Sequence, residues 1–219
     1  MQTDFWSPIK LSLEVASFSG IIAIIFGIFA ARFMVVKRFK GKIILETIFL
    51  LPLVLPPTVI GFLLIAVFGK NSPIGEWIMF LFHQPIMFTW WAAAIASTIV
   101  AFPLMYQTAK AGFLSIDGEI EDAARVDGAG EWRVFSRISV PLAYKAIIAG
   151  GILSFARALG EFGATFMFAG NIPGKTQTMP IAIYIALESG NTHLAWAWAG
   201  MMIAISFIML LIVYVLKRE

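Results

Sequence analysis

The 219-residue sequence has no cysteine and only two histidines, His83 and His193, far apart in the chain. Disulfides, zinc thiolates and a cysteine nucleophile are thereby excluded, and two distant histidines with no carboxylate at ligand spacing offer no metal site. Charge is also scarce: 13% of residues are Asp, Glu, Lys or Arg, about half the share found in a soluble domain. No Ser-His-Asp set and no exposed pair of catalytic carboxylates can be assembled, so no enzymatic activity is expected of this chain. The formal charge of +3 is modest and forms no nucleic-acid-binding patch. What is present instead is apolar mass, 60% of the residues at a mean hydropathy of +0.88. That composition belongs to a chain whose solvent is the lipid bilayer.

A helix needs about 20 apolar residues to cross the hydrocarbon layer. Five stretches qualify: Ile9 to Val36, Ile43 to Phe68, Ile86 to Gln107, Ala143 to Ala169 and His193 to Leu216. Pro52, Pro56 and Pro57 fall in the second and Pro103 in the third; they are read as kinks, because neighbouring helices can re-satisfy the freed carbonyls. The first stretch lacks a basic start and is too long for a cleaved leader. The segment from Thr178 to Leu187 is short and broken by Pro180, and is read as an interfacial or re-entrant helix. An all-helical bundle of five spans is expected, a single transmembrane domain over residues 1–219.

Basic residues set its orientation. Arg32, Lys37, Arg38, Lys40 and Lys42 follow the first span, and the positive-inside rule keeps that cluster in the cytoplasm and the amino terminus outside. The segment from Lys110 to Lys145, with Arg125, Arg133 and Arg137, then falls inside, as do Lys217 and Arg218. The external segments keep only Lys10, Lys70 and Lys175. Trp90, Trp91, Trp196 and Trp198 read as interfacial anchors.

The one large polar segment is the cytoplasmic loop of about residues 110–142. Asp117 can cap a helix carrying Glu119 and Glu121 in its first turn, which suits the positive helix end. Ile120, Ala123, Ala124 and Asp127 share a face at helical spacing. Gly128 and Gly130 stop that helix, and a second, Glu131 to Ile138, sets Trp132 and Phe135 on one side and Arg133 and Arg137 on another. Pro141 marks the return to the membrane. Two readings remain open on pattern alone: a solvated loop, or a helix-turn-helix offering small residues and aromatic anchors to a partner's cleft.

Asp122-Ala123-Ala124, three residues, Gly128, nine residues, Ile138-Ser139-Val140-Pro141 resembles the EAA signature of bacterial ABC importer permeases, E-A-A-x3-G-x9-I-x-L-P, with Asp122 in place of Glu and Val140 in place of Leu. Leu51-Pro52-Leu53-Val54-Leu55-Pro56-Pro57-Thr58-Val59-Ile60-Gly61 and Arg157-Ala158-Leu159-Gly160-Glu161-Phe162-Gly163-Ala164-Thr165 are similar to the molybdate, tungstate and sulfate branch, the proline-rich segment most to the molybdate type. The resemblance implies a type I permease fold, with Glu121, Asp122, Ala123, Ala124, Gly128, Trp132, Ile138 and Pro141 in the coupling site for an ATPase subunit. It implies no cofactor on this chain, with ATP and Mg used by a partner ATPase dimer. It also implies a second copy of the permease, an extracytoplasmic oxyanion-binding protein as partner, and residence in the plasma membrane.

Inside the fourth stretch, an ionised pair is costly unless it faces the bundle interior or a watery path. Arg157 and Glu161, four residues apart, either fix helix packing or offer Arg157 to a passing anion with Glu161 holding its rotamer. Thr58 and Thr165 could present hydroxyls to the same anion or bond their own backbones. Gly170-Asn171-Ile172-Pro173-Gly174-Lys175-Thr176 fails as a phosphate-binding loop, since Ala169 stands where that motif needs glycine; it reads as an external turn or gate. Sulfate is the competing cargo. A passive anion channel and an intramembrane enzyme are the competing classes: the first would not need the coupling loop, and the second lacks a nucleophile and base.

Overall fold

From Trp6 to Val36 the only proline is Pro8, in the first turn, where its missing N–H breaks no helical bond. The segment is one helix, α1 (Trp6–Val36). The coordinates are a computed structural model describing residues 4–218, with side chains through Val215, so the charges of Lys217 and Arg218 lie outside the described side chains. Gly41 turns the chain at φ +91° into α2 (Lys42–Val54). There follow α3 (Pro57–Phe68), α4 (Pro73–Phe82), α5 (Trp90–Leu114), α6 (Gly118–Val126) and α7 (Glu131–Val134). A π-helical turn at Phe135–Ser139 leads to α8 (Val140–Leu142), α9 (Tyr144–Leu159), α10 (Gly163–Ala169), α11 (Met179–Glu188) and α12 (Thr192–Arg218). No strand occurs among the described residues.

Three of these helices, α1, α5 and α12, are each long and apolar enough to cross a membrane, and two bent pairs raise the count to as many as five. The core is where α1, α5 and α9 meet, and it is built of small residues. Ala16, Ala23, Ala101 and Ala158 are buried there. A Cβ on Gly27 would lie 2.6 Å from Met105 Cγ, and one on Gly112 would lie 2.5 Å from Ala146 Cβ. Ser19 Oγ donates to the Ala94 carbonyl at 2.9 Å, and Ser154 Oγ to that of Ala101 at 3.2 Å. Lipid provides no hydrophobic drive between helices, so close backbone approach and such hydrogen bonds must hold the bundle.

Two of the expected spans are broken more deeply than a kink. The second turns through 118° between α2 and α3, because Pro56 and Pro57 together remove two amides and Pro57 can only begin a new helix. Pro52 and Pro103, single prolines, stay inside α2 and α5. The fourth span stops at Gly160 and restarts at Gly163, and a 74° bend at Ala143 separates it from the loop. The stretch around Thr178–Leu187 is indeed a helix, α11. Its Met179, Ile181, Ala182 and Ala186 are buried against α1 and α12, while Tyr184 and Leu187 on its other side stay exposed, so one face packs on the bundle. Trp198, among the tryptophans read above as anchors, is buried, stacks on Phe5, and its Nε1 donates to the Phe5 carbonyl at 3.0 Å.

Candidate functional site

The loop between α5 and α9 builds its own frame. Asp117 Oδ1 accepts from the Glu119 amide at 3.0 Å and opens α6. The far end closes in a Schellman motif: the Ala129 amide donates to the Ala124 carbonyl at 2.9 Å and the Gly128 amide to that of Arg125 at 3.1 Å, with Gly128 at φ +87°. Arg125 then staples α6 to α7. Its Nε donates to Glu131 Oε1 at 2.8 Å and its Nη1 to Asp122 Oδ1 at 2.7 Å. The Arg125 guanidinium holds the Glu131 carboxyl below its ordinary range, and the bonds to Glu131 and Asp122 raise the guanidinium in return.

Glu121 joins this frame to the membrane. Its carboxylate is buried and accepts from Arg32 Nη1 and Nη2 at 2.8 and 3.0 Å, a bidentate pair with the last turns of α1. Ser139 Oγ, fully buried in the π turn, donates to the same carboxylate at 2.7 Å, and Arg125 Nη2 at 3.2 Å. Burial pushes the Glu121 carboxyl up, but the bonds and charge of Arg32 with the Ser139 and Arg125 bonds more than reverse it, leaving a group ionised below its ordinary range. The outer face of α6 is the reverse of an ordinary surface helix: Ile120, Ala123 and Val126 are exposed, Val126 at 88%.

Of the residues assigned to the coupling loop, Asp122, Ala123, Gly128, Trp132 and Pro141 are exposed, Ala124 and Ile138 half-buried, and Glu121 buried. Trp132 stacks on Phe29 of α1 at 6.4 Å between centroids while keeping 67% of its surface exposed. Phe135 is buried against Phe29 and Phe113. The expected second helix, Glu131 to Ile138, is α7 continued by the π turn, a device common at functional segments. Sequence reading missed Arg32 and Ser139 as partners of Glu121. Arg32 lies 89 residues away and Ser139 18, and the available signal was an arginine ending an apolar span.

The second cluster lies where α3 and α10 begin side by side. A Cβ on Gly163 would lie 2.9 Å from Pro57 Cβ, and one on Gly61 would lie 3.1 Å from Ala164 Cα. Arg157 Nη1 donates to Glu161 Oε2 at 2.9 Å. Glu161 is just past the end of α9 rather than on it, and its Oε1 accepts from the Ala164 amide at 2.8 Å, satisfying a free donor in the first turn of α10. Glu161 is buried and Arg157 half-buried. Thr165 is fully buried and its hydroxyl has no partner among the described residues, unlike a threonine bonded to its own backbone. Thr58 is exposed in the first turn of α3. No group of three metal-ligating side chains occurs among the described residues.

Residues 23–219 match the family described as binding-protein-dependent transport system inner membrane component. The chain belongs to that family, and is therefore a multi-pass membrane component of such a system. Over 208 residues it is 61% identical to the putative molybdenum transport system permease protein YvgM of Bacillus subtilis (strain 168), covering 95% of this chain and 92% of that one. Over 208 residues it is 42% identical to the molybdenum transport system permease protein ModB of Escherichia coli (strain K12), covering 94% and 91%. It shares its fold, at a TM-score of 0.73 and 13% identity, with a chain of the inward-facing MetNI methionine ABC transporter, over 100% of this chain and 98% of that one.

Proposed function

We propose that residues 1–219 form one transmembrane domain, the permease subunit of an ATP-driven importer that moves a tetrahedral oxyanion, molybdate before tungstate, by alternating access. The domain crosses the membrane five times, through α1, the broken α2–α3, α5, α9 with α10, and α12, with the amino terminus outside and the carboxyl terminus inside. Two copies enclose the pathway, a pair of ATPase subunits docks on the coupling loops, and an external binding protein delivers the anion. The choice of molybdate is supported by the names of two relatives matched over nearly the whole chain.

The observation that carries the mechanism is Glu121 bound to Arg32 beneath an apolar outer face. A motor seated on Ile120, Ala123 and Val126 pushes on α6, and the bidentate pair passes the push to α1 as a rigid-body motion. Asp122 and Trp132 are the contact residues and Glu121 the positioning residue. Within the membrane, Arg157 supplies positive potential to the anion, Glu161 fixes its geometry, and Thr58 and Thr165 offer hydroxyls; none of them binds tightly, since cargo must leave.

Uptake of labelled molybdate, tungstate and sulfate into vesicles holding the permease, its ATPase and its binding protein tests the reading. Molybdate accumulation that requires ATP is expected, and deletion of residues 121–139 abolishes it. Sulfate preferred over molybdate would reassign the cargo, and ATP-independent flux surviving the deletion would make the protein a channel.

A further inference from the structure

At the end of α5 opposite the coupling loop lies an open cavity of about 830 Å³. Three segments frame it: the α3–α4 turn, the residues leading into α5, and the loop after α10. Lys70 and Lys175 both line it, the lining includes no carboxylate, and neither lysine makes an ion pair among the described residues. These are two of the three lysines on the side assigned above to the exterior, and the third, Lys10, pairs with Glu14 at 3.8 Å. Glu76, one turn into α4, is outside the lining.

The frame is rigid in each segment. The single Ser72 hydroxyl hydrogen has the Val67 and Gly69 carbonyls within reach at 2.6 and 2.8 Å, and its oxygen accepts from the Gly75 amide at 2.9 Å, which fixes the turn that carries Lys70. The turn is tight enough that a Cβ on Gly75 would lie 1.9 Å from the Gly69 carbonyl oxygen. Thr176, fully buried, accepts from the Ile172 amide at 2.9 Å and donates to the Gly170 carbonyl at 3.3 Å, so Lys175 stands on an ordered loop. Phe88 lines the cavity at φ +60°, a left-handed conformation that costs a bulky residue free energy; its amide N–H donates a hydrogen bond to the Phe168 carbonyl at 3.3 Å. Ser72 and Thr89, the N-caps of α4 and α5, also face it, bringing two positive helix ends to the same space.

We infer that this cavity is a receiving vestibule for a small dianionic oxyanion, which Lys70 and Lys175 draw in and hold briefly before it moves inward. The inference rests on the orientation and cargo class proposed above. Two exposed ammonium groups in water-like surroundings bind an anion weakly, while a cleft of one sign raises the local concentration of its counter-ion. The volume leaves the anion its hydration shell and room to arrive from a docked protein. Asn71 and Gln84 add amide donors that do not depend on pH.

The test uses the whole importer in vesicles, with loaded binding protein outside and labelled molybdate as probe. Lys70→Gln with Lys175→Gln is expected to cut the uptake rate about tenfold while binding-protein affinity and its stimulation of ATP hydrolysis stay within about twofold. Lys70→Arg with Lys175→Arg is expected to retain uptake. Unchanged uptake in the Gln pair overturns the vestibule. A loss of binding-protein affinity matching the loss of uptake overturns it too, and makes the lysines a docking surface for acidic side chains. Failure of the unsubstituted importer to take up molybdate is a different result, and rejects the cargo assignment itself.

Discussion

Glu121 shows what a single buried carboxylate does when every oxygen lone pair is spoken for. Its ionised state is stabilised by folding, so its contribution is complete above the ordinary carboxyl value of 4.5 and is lost as pH falls through the lower folded value. Protection of the 115–142 amides, taken relative to the intrinsic exchange rate at each pH, is expected to hold from neutral pH down to the ordinary carboxyl value of 4.5 and to fall only on further acidification. Arg32→Gln removes the main counterweight to burial, and the onset should move toward neutral pH. For Arg157, a Gln substitution alone strands the buried Glu161 charge and should destabilise the protein by about 3 kcal/mol in thermal unfolding. Arg157→Gln with Glu161→Gln keeps an acceptor for the Ala164 amide and should recover most of that loss, yet not the oxyanion uptake. Recovery of both would reduce the pair to helix packing. The four-residue spacing made the Arg157 pair legible in the sequence; the Arg32 pair was not, because nothing local ties residues 32 and 121.

Helix ends are where sequence and structure agree best and also where they part. The three unbroken spans α1, α5 and α12 follow from apolar length alone, and the loop follows from Asp117, Gly128 and Pro141. The depth of the breaks was not legible from single prolines, since Pro52 and Pro103 are absorbed while Pro56 with Pro57 turns the chain through 118°. Nor does spacing reveal that Gly61 and Gly163 are small because α3 and α10 touch there. α4 escaped notice because its ten residues are too few to span a membrane. Two glycines of the loop separate the causes. Gly128 is at φ +87° with open space around it, so Gly128→Ala pays only backbone strain, about 1–2 kcal/mol. Gly130 has φ −68° and equal space, and Gly130→Ala should be neutral or slightly stabilising. Melting both variants in one detergent compares them directly.

Across the whole molecule, much apolar surface finds no partner within the chain. α12 buries little beyond Ala195, Trp198 and Val213, as suits a helix facing lipid or a second copy. The absence of cysteine makes proximity easy to read, since any thiol introduced is the only one. Val126→Cys is expected to form a bond to a cysteine placed in the ATPase cleft within minutes under mild oxidation, whereas Gly190→Cys, in the turn before α12, should give none; equal yields would dissociate the loop from the motor. The reversed face of α6 has a further consequence. A helix that turns Glu121 inward and leaves Val126 exposed would, in the orientation proposed above, be finished only by its motor, and a permease made without that motor would carry a sticky spot into a crowded compartment. Production of the two subunits in matched amounts would then be a matter of protein quality as well as of transport.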